Sequence, residues 1–350
     1  MKSLVVNYRV FTDKICDKDI ILLTDLHGFH FKKNKDIIDN INNEKSDMII
    51  ISGDVLHSSK YIGDSRSKKE LEYFLGAISE ESPVFIGLGN HDLFGSSEDA
   101  KIGYKSLENA RNGKVFPLFN ESVVHDGIRI TEFHSKHDTY APAVQENGLG
   151  ILGFDEDFND SNIVIPYNDQ LYNILICHNP KHFEQARCIR KHLSFDINQE
   201  QFTRLLALSK KMSSFDLCLS GHLHNGYIPL SLTTKNPSKY MDKGYWEMPM
   251  EKDINGSVKY IRPWIFKNTD LCRGTVFIGD TEHRIIELCD GSYYYIYNSS
   301  KDPVKISEKQ AIDIKKMYNL TPIVISGGVN KYFNLPIDNA EITKIKLLKK

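Results

Sequence analysis

The sequence predicts an α/β layered fold, and three observations carry that prediction. Short apolar runs that end in Gly, Asn or Asp recur along the chain, helical patterns lie between several of them, and the polar residues at the exits belong to a few chemical types. A run of consecutive apolar residues with polar punctuation reads as a buried strand, and strand, loop and helix in repeated alternation build a layered sheet. In such folds the ligand site lies beyond the carboxyl ends of the strands.

Taken in order, the strands are expected in "DIILLTDLHG", "DMIIISGDV", "PVFIGLGNHD", "LYNILICHNP" and "FDLCLSGHLH". Between the first three lie "NKDIIDNINNE" and "SKKELEYFLGAIS", whose apolar positions recur at three and four and predict helices. The stretch between "HNP" and "SGHLH" is long enough for two helices, so residues 181–214 are expected as a helical insertion. Residues 231–272 lack clear periodicity, mix Pro, Gly and aromatics, and are expected to form a cap or specificity excursion. The chain then returns to strands over 273–350, through "RGTVFIGD", "HRIIELCD", "SYYYIYN", "TPIVISGG" and "AEITKIKLL", expected to complete a second sheet. No internal repeat or low-complexity tract interrupts this order.

Composition narrows the function classes. The 350 residues are 41% hydrophobic and 26% charged, the mix of an ordinary globular protein, and we read them as one domain with insertions, residues 1–350. A net charge of -2 offers no basic footprint for a phosphate backbone, so dedicated nucleic-acid binding is not expected. No apolar run reaches the roughly 18–20 residues of a membrane helix, and Asn7, Arg9 and Asp13 break the apolar start, so neither a transmembrane segment nor a leader is expected. The six cysteines lack C-x-x-C spacing and read as free thiols of a cytoplasmic protein, with Cys177 and Cys218 as small buried hydrophobes.

The polar residues at the strand exits are Asp25 and His27; Asp54; Asn90, His91 and Asp92; His178; and His222 and His224. Imidazoles, carboxylates and one amide form a ligand set for Mn, Fe or Zn, unlike the thiolates of a structural zinc site. Asp25 and His27 are two residues apart, as are His222 and His224, so a continued pleat would point each pair to one side. Gly53, Gly89 and Gly221 immediately precede Asp54, Asn90 and His222, where the backbone must turn or approach closely.

The ordered series "DLH", "GD", "GNHD", "CHNP" and "GHLH" resembles the calcineurin-like metallophosphoesterases, and within them a bacterial branch of predicted phosphohydrolases. The resemblance implies a four-layer α/β/β/α sandwich of two mixed sheets flanked by helices, with an inserted cap-like excursion. It implies two divalent transition-metal ions sharing Asp54, with Asp25, His27 and His224 completing the first and Asn90, His178 and His222 the second. It also implies hydrolysis of a phosphoester bond in a phosphorylated small-molecule or lipid-like substrate, by a metal-bridging hydroxide. His91 would then meet the leaving group or a phosphoryl oxygen, and Asp92 would hold its ring in the productive tautomer; a turn or cap is the other reading of Asp92.

One departure stands out: where many relatives continue G-D with a second Asp two residues later, this chain has "GDVLH" with His57. His57 and His30 are read as loop or substrate residues, and His134, His137, His182 and His192 as surface residues. Tyr245, Trp246, Arg262 and Trp264 are expected either to contact an organic phosphate or to pack the excursion onto the core. A nuclease of the same superfamily and a silent scaffold are the alternatives. A scaffold would be expected to have lost ligand types, and none is lost here.

Overall fold

The computed structural model describes residues 2–15, 17–28, 35–108, 113–135, 163, 170–189, 198–222, 228–229, 250–252, 258–261, 274–287, 291–297, 303–329 and 339–349. The chain opens with strands β1 (Lys2–Thr12) and β2 (Lys18–Leu23), then helix α1 (Lys35–Asn43), β3 (Met48–Ser52), the short α2 (Lys60–Gly63), α3 (Ser65–Ile78) and β4 (Val84–Gly87). A single turn, α4 (Asn90–Leu93), and α5 (Ser97–Lys105) precede β5 (Val115–Pro117), β6 (Ser122–His125), β7 (Ile128–Glu132) and β8 (Tyr172–Ile176). Helices α6 (Pro180–Arg187) and α7 (Gln199–Met212) lead to β9 (Leu217–Ser220). Then come β10 (Ile228–Pro229), β11 (Met250–Lys252), β12 (Val258–Ile261), β13 (Gly274–Ile278), β14 (His283–Glu287), β15 (Tyr293–Tyr297) and β16 (Val304–Ile306). Helix α8 (Glu308–Met317), β17 (Thr321–Ile325) and β18 (Asn339–Lys349) end the chain.

Two mixed sheets dominate. The six-stranded sheet runs β1-β18-β2-β3-β4-β5, with β2 to β5 parallel; the nine-stranded sheet runs β16-β15-β14-β13-β17-β9-β8-β7-β6, with β7, β8, β9 and β17 parallel. A layer of apolar side chains joins them face to face: Ile20, Leu22, Ile50 and Phe85 from one sheet meet Ile130, Ile174, Leu219 and Val324 from the other. Ile21, Ile49, Ile51 and Ile86 point the opposite way, onto Ile37, Leu71, Phe74 and Tyr104 of α1, α3 and α5. On the outer face of the nine-stranded sheet, Leu175, Cys218 and Ile323 pack on Phe183, Leu208 and Met212 of α6 and α7. The order of layers is therefore α/β/β/α, as the sequence implied. Each large apolar side chain withdrawn from water in these layers contributes roughly 1.5–3 kcal/mol.

The helices start where the sequence marks them. Asn179 caps α6, with Pro180 in the first turn where no amide partner is needed, and Asn198 caps α7 in a reciprocal arrangement with Gln201. Helix α8 has the same device in Ser307 and Gln310, although the closing region reads as strands alone. It covers the inner face of β13 to β15 beyond the smaller sheet, around Phe277, Ile285 and Ala311.

The closing strands divide. β13 to β17 lie in the nine-stranded sheet, but β18 enters the six-stranded one between β1 and β2. Its two faces explain the placement, since Ala340 and Ile342 meet the helix side while Ile345 and Leu347 meet the other sheet. A strand apolar on both faces needs a central position. β1, by contrast, alternates buried Val6, Tyr8 and Val10 with exposed Asn7, Arg9 and Phe11, and takes the edge. Of the expected excursion at 231–272, the described parts are β11 and β12, which form a three-stranded antiparallel sheet with β10. Tyr245, Trp246, Arg262 and Trp264 lie outside the described residues, as do His30, His137, His192 and His224.

Candidate metal centre

The site forms where the parallel strands of both sheets end. Asp25 and His27 follow β2, Asp54 follows β3, Asn90 and His91 open α4 after β4, His178 follows β8 and His222 follows β9. Their convergence does not come from a continued pleat. Asp25, His27, Asp54 and His222 all have left-handed backbones, with φ of 55, 47, 53 and 71°. Left-handed backbone is uncommon for residues with a Cβ and tends to be retained where surroundings force it, often at functional sites. Here the turn is tied by backbone bonds from Asp25 N to Gly53 O (3.1 Å) and from His27 N to Asp54 O (2.8 Å), which zip the β2 and β3 exits together.

Two glycines permit the crowding. A Cβ at Gly89 would lie 2.1 Å from Asp54 Oδ1, and one at Gly221 would lie 1.9 Å from Thr24 Oγ1 and 2.6 Å from Asp25 Oδ2. Any side chain there would displace the carboxylates.

The donor atoms fall into overlapping groups. Asp25, His27 and Asp54 form one, and Asp54, His178 and His222 another, each with ligand atoms within 4.8 Å of one another. His27 Nε2 stands 3.8 Å from Asp25 Oδ1 and 3.6 Å from Asp54 Oδ2; His178 Nε2 stands 3.9 and 3.2 Å from the same two oxygens. His178 donates Nδ1–H to the Ser52 carbonyl at 2.7 Å, which turns its Nε2 edge toward the carboxylates. That Nε2 is buried and lacks a well-formed hydrogen bond, the arrangement of a ring oriented from behind to bind a cation. The donor set, its burial and this ring fit a divalent metal. Asn90 Oδ1 meets His222 Nδ1 at 2.9 Å, which brings the amide to the same place.

The electrostatics follow from this packing. Burial pushes the Asp54 carboxyl up, but the neighbouring His178, His27 and His91 outweigh it and hold the group well below the usual carboxylate range. Burial alone would lower the His178 ring, yet Asp54, Asp25 and the Ser52 carbonyl raise it to about 10. Without a cation the pair is thus an imidazolium beside a carboxylate.

His91 lies half-buried over this cluster. Its backbone N–H donates to Asp54 Oδ1 at 2.8 Å, its ring meets His27 edge-on at 4.6 Å and stacks on His57 at 4.9 Å, and its Nδ1 bonds the His57 carbonyl at 3.1 Å. The expectation that Asp92 holds the His91 ring is therefore corrected. Asp92 is fully buried and accepts from Val55 N (3.2 Å), Leu56 N (2.8 Å), Gly89 N (3.0 Å) and Tyr104 Oη (2.6 Å). Placed at the third position of α4, its side chain turns back to its own helix start and to the loop after Asp54, away from the adjacent ring. Burial first and the Asp54 charge second raise its carboxyl to about 6.

Sequence reasoning missed Thr24 and Tyr104 and read His57 only as a loop or substrate residue. His57 supplies the carbonyl that orients His91, and burial followed by the neighbouring His91 charge lowers its ring from the ordinary value. Thr24 donates Oγ1–H to Asp25 Oδ2 at 2.9 Å, and Tyr104 on α5 holds Asp92. Adjacency to Asp25 was a signal for Thr24; nothing local marked Tyr104. His134, expected on the surface, is half-buried with Nδ1 at 2.9 Å from the buried Glu132 carboxylate, and His182 is buried because the first turns of α6 pack onto the sheet. Cys177 and Cys218 are buried as expected, and burial raises the Cys218 thiol to about 12.

Among known proteins, the sequence profile of calcineurin-like phosphoesterases matches residues 18–226. An uncharacterized metallophosphoesterase of Helicobacter pylori (strain ATCC 700392 / 26695) is 25% identical over 279 residues, and its counterpart in strain J99 is 25% identical over 281. Each alignment covers 72% of this chain but only 62% of the relative, so the chain matches less than two thirds of their length. A dimetal phosphatase from Danio rerio is 10% identical, covering 83% of this chain and 98% of its own, with a TM-score of 0.31.

Proposed function

The chain belongs to the calcineurin-like phosphoesterase family, and on that premise we propose that it is a dinuclear-metal phosphohydrolase cleaving a phosphoester bond. The observation that carries the reading is the pair of ligand groups that share Asp54, Asp25–His27–Asp54 and Asp54–His178–His222. His224 joins the first set and Asn90 the second in this reading, with manganese as the metal. Divalent metal held by these residues would supply Lewis-acid polarisation of the phosphoryl group and lower the pKa of an attacking water.

The residues of the chain do the rest. Asp54 is anchored by the His91 amide, so its second oxygen stays aimed at His27 and His178. His91, with Nδ1 fixed on the His57 carbonyl, presents Nε2 to the substrate, where it offsets charge on a phosphoryl oxygen or gives a proton to the leaving oxygen. Asp92 takes no part in that transfer and keeps α4 seated. The substrate is a phosphomonoester, phosphodiester or pyrophosphate of a small or lipid-like molecule in the cytoplasm, and residues 231–272 supply its selectivity.

Mn²⁺-dependent hydrolysis of p-nitrophenyl phosphate tests the reading. Asp54→Asn is expected to abolish it, and His91→Ala to lower kcat by about 10²–10⁴-fold. Wild-type rates in either variant, or a purified protein that neither contains nor binds a transition metal, would sink it.

A further inference from the structure

The family match ends at residue 226, yet one of the contacts that frame Asp25 comes from far beyond it. After β17 the backbone runs through Ser326 and Gly328 to Val329 and crosses the gap between the two sheets. Ser326 N donates to Ser220 O (3.2 Å), two residues before His222, and Val329 N donates to Thr24 O (3.0 Å), one residue before Asp25. From the other side, Glu341 N donates to Gly328 O (3.2 Å), which ties the loop to β18. His222 N itself donates to Asp25 Oδ2 (3.1 Å), so the two ligand exits are coupled directly as well.

Gly328 sits at the point of closest approach. Its φ is 89°, and a Cβ built there would lie 3.1 Å from Asp25 Cβ and 3.4 Å from Asp25 Oδ2. The neighbour it would meet is the carboxylate stem of a fully buried residue, whose other flank is closed by Thr24 Oγ1 and Gly221. On these sides Asp25 could yield only by moving toward His27 and His178, 3.8 and 3.9 Å from its Oδ1.

We propose that residues 326–329 are a positioning segment that sets the spacing between Asp25 and His222, and that Gly328 does so by leaving Asp25 the space it occupies. The inference rests on the metal centre proposed above. The loop contacts no substrate in this scheme; it acts on metal affinity through Asp25. A chain carrying all the motifs of residues 25–224 but lacking this crossing would hold its metals weakly.

The test uses the full chain stripped of metal, with Mn²⁺ titrated calorimetrically and thermal unfolding followed in parallel. Gly328→Ala adds the Cβ and also strains the backbone. Gly328→Asn adds it with less strain, because Asn enters the left-handed region more readily. Gly291→Ala is the control, since φ there is 79° and no atom lies within 4 Å of the added Cβ. Both Gly328 variants are expected to bind Mn²⁺ about tenfold or more weakly than wild type, within the range for residues that orient ligands. Gly291→Ala should bind as wild type does, with a similar shift in the melting of the metal-free protein. Equal Mn²⁺ affinity in wild type and both Gly328 variants would overturn the proposal, and so would an equal loss in Gly291→Ala. If wild type itself bound no Mn²⁺, the metal centre would fail instead, a different and separable result.

Discussion

Replacing Asp92 with alanine should produce a loss of stability that depends on pH in a specific direction. Four buried donors, the amides of Val55, Leu56 and Gly89 and the Tyr104 hydroxyl, would lose their acceptor. At about 1–3 kcal/mol for each buried donor left unsatisfied, and with water entering the vacated space, the cost in acid is about 6 kcal/mol. The wild-type carboxyl is not equally favourable at all pH values, because burial and Asp54 raise it from 3.8 to about 6. A group raised on folding contributes stability that is complete below its unfolded value and lost as pH rises through its folded value. Two units at about 1.4 kcal/mol each remove about 3 kcal/mol from wild type between pH 4 and 8. The alanine variant has no such group, so the gap between the two proteins should narrow from about 6 to about 3 kcal/mol over that range. Urea midpoints of the metal-free proteins at pH 4 and pH 8 measure it. A gap that is constant or widens with pH would refute the burial argument. A full-length, well-folded alanine variant with a shifted pH–rate profile would return Asp92 to a role on the His91 ring.

Two further outcomes are expected. The His178 ring, raised to about 10 by Asp54 and Asp25, is protonated at neutral pH without metal, so Mn²⁺ must displace about one proton there. Calorimetry at pH 7.5 in buffers of different ionisation enthalpy should show that release, and affinity should climb with pH until about 10. The stability this ion pair gives the metal-free chain is full below 6.5 and fades through the same upper limit. Away from the site, Glu184 of α6 and Arg284 of β14 form a buried ion pair. Arg284→Met should cost up to about 3–5 kcal/mol by removing a charge partner of the buried Glu184 carboxylate, and adding Glu184→Gln should restore much of it, with metal binding unchanged throughout. Differential scanning calorimetry of the single and double variants checks this.

The strands that lead into the site were legible because they are largely buried and read as short apolar runs: apart from Lys18 of β2, the residues of β2, β3, β4, β8 and β9 fall within the five stretches that announce them. Helices α1 and α3 follow their apolar spacing in the same way. β1 was less visible, since its Val6, Tyr8, Val10 alternation is interrupted by Asn7 and Arg9, and those breaks argue against a membrane segment more loudly than they argue for an edge strand. The partner of β18 was not legible, because an apolar run states that a strand is central without stating in which sheet. In the site, residue types and order were readable, but their convergence was not. It depends on left-handed turns at Asp25, His27, Asp54 and His222, which residues of those types do not announce. Asp92 was misread because adjacency to His91 in sequence says little about direction once α4 turns the two side chains apart.

The insertion of β18 between β1 and β2 has a consequence for synthesis. During translation β2, which leads into Asp25, stands without its neighbour on that side until residues 339–349 have left the ribosome, and β1 lacks its partner among the described strands until then. Pairings so distant in sequence form late and slowly. A nascent chain would already contain Asp54, His91, His178 and His222 while the wall that frames Asp25 was still missing. A chain cut before residue 339 would keep all of these residues but lose the strand that flanks β2, and the turn that holds Asp25 would lose that support.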